Sequence, residues 1–175
     1  MRCGWRFDIR ANFMDNLSTT VKKGEGEMDT DLMFSSQSDE WETPEDFYQA
    51  LHEEFNFTLD PCSTHDNHKC SKYYTIEDDG LSKSWEGETV FVNPPYGRVI
   101  GEWVKKCYEE SKHATVVLLM PARTDTRYFH DYIYYDADEI RFLRGRLKFI
   151  NRSLLTASPA PFPSMVVVFY NKKER

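Results

Sequence analysis

Short apolar runs alternate with amphipathic stretches along most of the chain. Residues 89–92 and 114–120 are apolar almost throughout, which is typical of strands buried on both faces of a sheet. Residues 99–111 instead space their apolar side chains as one face of a helix does. The same pattern predicts further helices at about 44–54 and from 125 or 126 to about 135, and further strands at 57–61, near 73–76, and at 139–143, 147–150 and 165–170.

The order of these elements predicts an α/β fold with a mostly parallel sheet and helices on both faces. The final two strands, 147–150 and 165–170, have no helix between them. We therefore expect them to form an antiparallel hairpin at one edge of the sheet. Residues 62–84 contain many turn-forming residues and little apolar sequence, so the connection after the first strand is expected to be abbreviated.

Composition divides the chain into a leader and one domain. Residues 1–38 show no sustained apolar period and are rich in Ser, Thr, Gly and charged residues, which predicts a flexible leader. Residues 39–175 have the length of a single domain, and a content of 40% apolar and 15% aromatic residues can supply its core. Thr43 before Pro44 is a helix-start signal, with Thr as the N-cap and Pro at the first helical position.

The cellular location is predicted from features that the sequence lacks. No apolar run approaches the ~20 residues of a membrane helix, and the N-terminus lacks the apolar stretch of a signal peptide. Four cysteines without an export signal are most simply reduced thiols. We therefore expect a cytoplasmic protein with no membrane partner, and the sequence gives no indication of its oligomeric state.

Charge is unevenly distributed along the chain. The net charge is −7, with −12 over residues 1–97 and +5 over residues 98–175. Phosphate binding follows the local field, so an acidic chain can still carry a basic nucleic-acid surface. A solvated edge hairpin that binds nothing is the alternative. Candidates for contacts with nucleic-acid phosphates are Arg123, Arg141, Arg144, Arg146, Lys148 and Arg152.

The sharpest feature is Asn93-Pro94-Pro95-Tyr96, which follows the strand predicted at 89–92. Open α/β sheets bind their ligands at the carboxyl ends of strands. Two prolines fix two φ angles and remove two backbone donors, so the turn is rigid. The Asn93 side-chain oxygen and the next carbonyl would form a pair of acceptors beside an aromatic ring, which suits an amino group on a planar ring. A proline-rich turn with a surface tyrosine is the alternative.

This tetrapeptide resembles the catalytic motif of S-adenosylmethionine-dependent amino methyltransferases, Asp/Asn/Ser-Pro-Pro-Tyr/Phe/Trp. The resemblance extends to the phage and prophage-borne DNA N6-adenine methyltransferases over about residues 39–171. The blocks that carry it are Trp41-Glu-Thr43-Pro44-Glu-Asp-Phe47, Phe57-Thr-Leu59-Asp60, Asp79-Gly-Leu81 with Trp85, Val92-Asn-Pro-Pro-Tyr-Gly97, Leu119-Met-Pro121-Ala122 with Thr124-Asp-Thr126, Gly145-Arg146-Leu-Lys-Phe149 and Ala160-Pro-Phe-Pro-Ser164.

The resemblance implies a Rossmann-like methyltransferase fold with S-adenosylmethionine as the cofactor. The implied reaction is site-specific methyl transfer to the N6 amine of an adenine flipped out of double-stranded DNA. Thr43 and Pro44 would lie against the methionine end of the cofactor, and Asp60 would hold its amino group. Asp79 would accept from the cofactor's adenine amine, and Leu81 would pack on that ring. The full set implied in cofactor binding is Trp41, Thr43, Pro44, Asp60, Pro61, Asp79, Leu81 and Asn93.

The four residues of the turn are the implied catalytic residues. Asn93 and the Pro94 carbonyl would accept both protons of the target amine. Pro95 would keep the turn rigid, and Tyr96 would stack on the target base. No catalytic His or Cys is expected, and no metal ion is predicted.

Three other interpretations stay open. The Asn-Pro-Pro-Tyr tetrapeptide is also similar to that of enzymes that methylate RNA bases or a protein glutamine. Related enzymes often have a glycine-rich turn after the first strand, whereas this chain has Asp60-Pro-Cys-Ser-Thr-His65, which leaves open a non-catalytic DNA-binding relative. Cys62, His65, His68 and Cys70 could form a cramped zinc site, although unrelated loop residues are favoured. Pro61-Cys62 resembles the nucleophile of cytosine-C5 methyltransferases, but the surrounding sequence does not follow.

Overall fold

The computed structural model describes residues 41–151 and 156–174, so the predicted leader and Arg152 lie outside the described residues. None of the described helices is long and apolar enough to cross a bilayer. The described elements are, in chain order, α1 (Glu45–Phe55), β1 (Leu59–Asp60), β2 (Lys72–Tyr73), β3 (Thr89–Val92), α2 (Ile100–Glu110), β4 (Thr115–Pro121), α3 (Arg127–Tyr132), β5 (Glu139–Phe142), β6 (Lys148–Asn151), β7 (Thr156–Pro159), β8 (Ser164–Phe169) and a final 3₁₀ turn (Lys172–Glu174).

Six of the strands form one mixed sheet in the order β2-β1-β3-β4-β8-β5. The pairs β1–β2, β1–β3 and β3–β4 are parallel, whereas β8 is antiparallel to both of its neighbours. β3 and β4 pair from Thr89 with Thr115 to Val92 with Leu118. These are the two apolar runs of the sequence, and they occupy the middle of the sheet. The predicted α/β class with a mostly parallel sheet is confirmed.

The antiparallel edge is present, but it uses different strands from those predicted. β8 pairs with β5, from Glu139 with Val168 to Phe142 with Met165, while β6 pairs with β7 in a separate two-stranded sheet. The prediction that 147–150 would pair with 165–170 is therefore wrong. The physical reason is that every residue of β8 is buried. A strand buried on both faces belongs inside a sheet, between β4 and β5, rather than at its edge.

Helix α1 begins at Glu45, one residue later than predicted. Pro44 is the N-cap residue, with φ −56° and ψ 140°, and no side chain caps the helix. The predicted capping role of Thr43 is therefore wrong, and its Oγ1 is buried without a hydrogen-bond partner among the described residues. Tyr48 of α1 packs edge-on against Phe91 of β3, with ring centroids 5.1 Å apart. This contact holds the start of α1 beside the end of β3.

The connection from β1 to β3 consists of turns and β2, with no helix in residues 61–88. The predicted abbreviation after the first strand is thus confirmed. Gly80 lies in its second turn, where an added Cβ would stand 2.0 Å from the carbonyl oxygen of Pro61. Only glycine allows the backbone to approach so closely, so Gly80 brings the 79–81 turn against the end of β1.

Candidate active site

A cavity of about 590 Å³ lies at the carboxyl ends of β1 and β3. This is the edge at which open α/β sheets bind ligands, and the volume is typical of small-molecule sites. Pro44 and Tyr96 are not among the residues that line it. The cavity brings together most of the predicted site residues, namely Trp41, Thr43, Asp60, Pro61, Asp79, Leu81, Asn93, Pro94 and Pro95.

Asp60 supplies a buried carboxylate to the cavity, and the residue is only 4% exposed. Its carboxylate accepts hydrogen bonds from the backbone N–H groups of Lys69, at 3.0 Å, and Cys62, at 3.4 Å. No described side chain forms an ion pair with it. Burial raises the pKa of Asp60 to about 6, against the lowering effect of the two backbone hydrogen bonds. A carboxylate in this environment is suited to a cationic group of a ligand.

Thr43 supplies a hydroxyl that has no partner in the described structure. The residue is 2% exposed and lines the cavity, and its Oγ1 makes no hydrogen bond there. Leaving a buried hydroxyl unsatisfied costs about 1–3 kcal/mol. A ligand that brought a polar atom to this position would recover that cost.

Asp79 stands in an unusual backbone conformation at the opposite turn of the cavity. Its φ is 53°, in the left-handed region that few residues other than glycine adopt. The turn is held by Ser82, whose backbone N–H and hydroxyl both donate to the Asp79 carbonyl, at 2.9 and 2.8 Å. Backbone conformations of this kind concentrate at functional sites. Asp79 and Leu81 both face the cavity from this turn.

The side chain of Asn93 is held at both ends. Its Nδ2 donates to the backbone carbonyl of Trp41 at 2.5 Å, and its Oδ1 accepts from the Tyr96 hydroxyl at 2.6 Å. Burial raises the pKa of Tyr96 well above its usual value, so this hydroxyl stays protonated and can donate. The plane of the Asn93 amide is therefore fixed at the wall of the cavity.

The ring of Tyr96 is not the open platform that the motif suggested. Tyr96 is only 5% exposed, and its ring makes edge contacts with Phe149, at 6.0 Å, and Phe162, at 5.4 Å. Neither the prediction of a free stacking face nor the alternative of a surface tyrosine describes this conformation. The ring is buried because two segments far along the chain fold over it.

The predicted phosphate contacts separate into two groups. Arg141 donates to both carboxylate oxygens of Glu54, at 2.7 Å each, and also to Glu139. Its charge is thus balanced by two carboxylates, and we remove it from the candidate DNA surface. The other four described residues of the set are exposed, and none of them forms an ion pair with a described residue. They are Arg123, Arg144, Arg146 and Lys148.

The alternatives built on cysteine and histidine are not supported. No group of three or more His, Cys, Asp or Glu side chains in residues 41–151 and 156–174 is arranged to hold a metal ion. His68 lies with Nδ1 3.0 Å from the Cys70 carbonyl and stacks on Tyr73 at 4.1 Å. Desolvation raises the pKa of the Cys62 thiol, which disfavours the thiolate that a nucleophile needs.

Several residues of the cavity were not predicted. Ile76 is the most unusual, since it is 94% exposed at the rim. The signal that could have identified them is their position after the carboxyl ends of β1, β2 and β3. They include Ser63, Thr64, His65, Asn67, Lys69, Ile76, Glu77, Val99 and Trp103.

The chain is similar to several known proteins. The "DNA N-6-adenine-methyltransferase" of Haemophilus phage HP1 is 31% identical over 120 residues, which cover 66% of this chain and 69% of that protein. The enzyme of the same description from Escherichia phage T1 is 32% identical over 94 residues, covering 52% of this chain and 39% of that protein. The crystal structure of the 23S rRNA methyltransferase ErmE gives a TM-score of 0.35 at 15% identity, covering 75% of this chain and 51% of that chain.

The family described as DNA N-6-adenine-methyltransferase (Dam) matches residues 31–175, which include every described element. This match contains the Asn93–Tyr96 turn, the Asp60 carboxylate and the exposed basic residues. The chain therefore belongs to the DNA N-6-adenine-methyltransferase (Dam) family.

Proposed function

We propose that the chain transfers a methyl group from S-adenosylmethionine to the N6 amine of an adenine flipped out of double-stranded DNA. The observation that carries this proposal is the meeting in one cavity of the Asn93–Pro95 turn, the buried Asp60 carboxylate and the unpartnered Thr43 hydroxyl. Membership of the family supports adenine in DNA as the target.

The chemistry of the cavity fits S-adenosylmethionine. Its ammonium group would meet Asp60, whose carboxylate lacks an ion pair with any described side chain. Its methionine end would give the Thr43 hydroxyl the partner that it lacks. Asp79 would accept from the adenine amine of the cofactor, and Leu81 would pack against that ring. When bound, the cofactor supplies a methyl group activated by a positively charged sulfur.

Asn93 and Pro94 would act on the target amine. This amine is a poor nucleophile because its lone pair is delocalised into the ring. Oδ1 of Asn93 and the carbonyl oxygen of Pro94 would accept hydrogen bonds from its two N–H groups. They would stabilise the positive charge that develops on nitrogen as the new N–C bond forms and the bond from the methyl group to sulfur breaks, leaving its electron pair on sulfur. The methylated nitrogen then releases one proton and becomes neutral. Because the Asn93 amide is already held by Trp41 and Tyr96, no reorientation is required when the base arrives.

Duplex DNA suits the distribution of exposed charge. Arg123 follows β4 and Arg144 follows β5, so both leave the carboxyl edge at which Asn93 follows β3. Unpaired cations at that edge can contact phosphates on either side of a flipped nucleotide. Such contacts would offset part of the few kcal/mol that extruding a paired base costs.

The test uses wild type and Asn93→Ala with S-adenosylmethionine labelled in its methyl group, and duplex DNA, RNA and protein as separate acceptors. We expect label in duplex DNA as N6-methyladenine, and a rate about 100-fold or more lower for Asn93→Ala. The matched control is Gln49→Ala, which removes an exposed amide on α1. Wild-type activity in Asn93→Ala contradicts the assigned role, and label in RNA or protein instead of DNA contradicts the substrate.

A further inference from the structure

Four aromatic side chains form a cluster against the Asn93 turn, and we refer to Trp41, Tyr96, Phe149 and Phe162 as the aromatic cluster. Phe162 contacts both Trp41 and Tyr96 at 5.4 Å, with interplanar angles of 86° and 80°. Phe149 contacts the same two rings at 5.6 and 6.0 Å. The cluster therefore covers the ring of Tyr96 from two directions, with Trp41 connecting it to the cavity.

The two phenylalanines differ in how firmly they are held. Phe149 is 1% exposed and lies in β6, where it is paired with Ser158 of β7. Phe162 is only half-buried and lies in the turn between β7 and β8, flanked by the exposed residues Pro161 and Pro163. The backbone on both sides of Phe162 is held, since the N–H of Ala160 donates to the Leu147 carbonyl and the N–H of Ala122 donates to the Pro163 carbonyl. The half-buried ring of Phe162 can therefore leave Tyr96 only by rotation of its side chain, which breaks none of these backbone hydrogen bonds.

Phe162 lies against the ring of Tyr96, whose hydroxyl bonds the Asn93 side chain. A base amine that donates to Oδ1 of Asn93 must approach an atom that is 2.6 Å from the Tyr96 hydroxyl. A base that stacks on the ring of Tyr96 can reach this acceptor. In the present conformation Phe149 and Phe162 lie against this ring, at interplanar angles of 79° and 80°.

We propose that the ring of Phe162 occupies the target-base site in the free protein and leaves it when a flat heteroaromatic base enters. This inference rests on the proposed function, since it assumes that a base is presented to Asn93. Displacing Phe162 exchanges its edge contact with Tyr96 for the stacking of a base on the same ring, which is worth about 1–3 kcal/mol. Phe162 therefore keeps the site closed and apolar until a base competes for it.

A closed site lowers the apparent affinity for the base. If only a fraction f of the molecules is open, the apparent dissociation constant is the intrinsic one divided by f. Removing the Phe162 ring would leave the site open without changing Asn93 or Tyr96. The apparent dissociation constant for a free purine should then fall to its intrinsic value, which is f times the value for wild type.

The experiment is a titration of 2-aminopurine riboside, whose fluorescence is quenched by stacking, with the full-length protein. A site that is closed nine-tenths of the time predicts binding about tenfold tighter for Phe162→Ala than for wild type. Phe162→Leu, which keeps an apolar side chain, should lie between the two. The control is Phe142→Ala, which removes a 60% exposed ring at the edge strand β5 and should bind as wild type does.

Two further comparisons make the result decisive. The double variant Tyr96→Ala with Phe162→Ala should lose the gain, because the platform for the base is gone. If Phe162→Ala binds the purine no more tightly than wild type, the proposal is overturned. If Phe162→Ala does not fold, the same result for Phe162→Leu overturns it. Methyl transfer to duplex DNA is measured with the same proteins, so that failure of the proposed function can be told from failure of the role of Phe162. If wild type methylates duplex DNA but Phe162→Ala binds the purine no more tightly, the proposed function stands and the role of Phe162 is rejected. If Phe162→Ala binds the purine more tightly but no protein methylates DNA, the role of Phe162 stands and the proposed function is rejected.

Discussion

The hydroxyl of Tyr96 lies 2.6 Å from Oδ1 of Asn93 and donates a hydrogen bond to it. The Asn93 Nδ2 donates in turn to the carbonyl of Trp41, so the two ends of one amide are tied to two different segments. The motif alone suggests that Tyr96 acts through its ring. The structure adds a positioning role for its hydroxyl, which fixes the direction of the acceptor on Asn93.

Tyr96→Phe should therefore lower turnover while leaving the ring in place. The loss of one hydrogen bond, about 1 kcal/mol, corresponds to a fall in kcat of about fivefold. The cofactor dissociation constant should stay as in wild type, because Tyr96 does not line the cavity. Steady-state kinetics on duplex DNA and cofactor titration measure the two quantities. The matched control is Tyr170→Phe, which removes a hydroxyl that donates to Glu139. Equal kcat for Tyr96→Phe and wild type would refute the positioning role.

Asp60→Asn should stabilise the free protein and abolish cofactor binding. Asp60 is 4% exposed and its pKa is raised from 3.8 to about 6, so the ionised form opposes folding at neutral pH. At about 1.4 kcal/mol per pKa unit, this opposition amounts to roughly 3 kcal/mol. Asparagine carries no charge and can keep its oxygen on the Lys69 N–H, which donates to Oδ2, but its amide nitrogen then replaces the Oδ1 acceptor of the longer bond from Cys62, which offsets part of the gain. We expect a Tm higher by several degrees, together with no measurable S-adenosylmethionine binding by calorimetry. A lower Tm with normal binding would show that Asp60 is only a structural residue.

The pH dependence of the same group separates stability from binding. A raised carboxyl pKa means that the folded state holds the proton more tightly than the unfolded state. The destabilisation by Asp60 is therefore complete above about pH 6 and is relieved as the pH falls below that value. As the pH falls, the folded protein thus becomes more stable with respect to this group, but its affinity for the cofactor should decrease. At one pH unit below the pKa the affinity should be about tenfold weaker, because only the ionised carboxylate attracts an ammonium group.

The measurement compares wild type with Asp60→Asn between pH 5 and pH 8. The excess Tm of Asp60→Asn should shrink toward pH 5, while the affinity of wild type for S-adenosylmethionine declines over the same interval. The comparison with the variant cancels the effect of other acidic groups, such as Glu139, whose pKa is lowered. A constant difference in Tm across this range would contradict the assigned pKa shift.

The sequence predicted the cavity better than it predicted the contacts around it. Asp60 is the last residue of β1 and Asn93 follows β3. Because the carboxyl ends of parallel strands meet at one edge of a sheet, the local pattern was sufficient to bring them together. The burial of Tyr96 depends on Phe149 and Phe162, which are remote in sequence. Packing between such segments leaves no periodic signal. The same holds for Arg141, which was predicted to contact phosphates but donates to Glu54, a residue of α1 that is remote in sequence, and to Glu139.

The basic residues provide a test in which one arginine is the control for another. Arg144 is exposed without an ion pair to any described residue, whereas Arg141 is bound by Glu54 and Glu139. Arg144→Ala should weaken binding to all duplex sequences alike and reduce the slope of log K against log salt by about 0.9, the value for one phosphate contact. Arg141→Ala should leave that slope unchanged but lower the Tm, because Glu54 and Glu139 lose the guanidinium that balances their charges. Binding isotherms at four salt concentrations and thermal unfolding measure both effects. A reduced slope for Arg141→Ala would mean that this guanidinium leaves its carboxylates to contact DNA, and would return it to the phosphate surface.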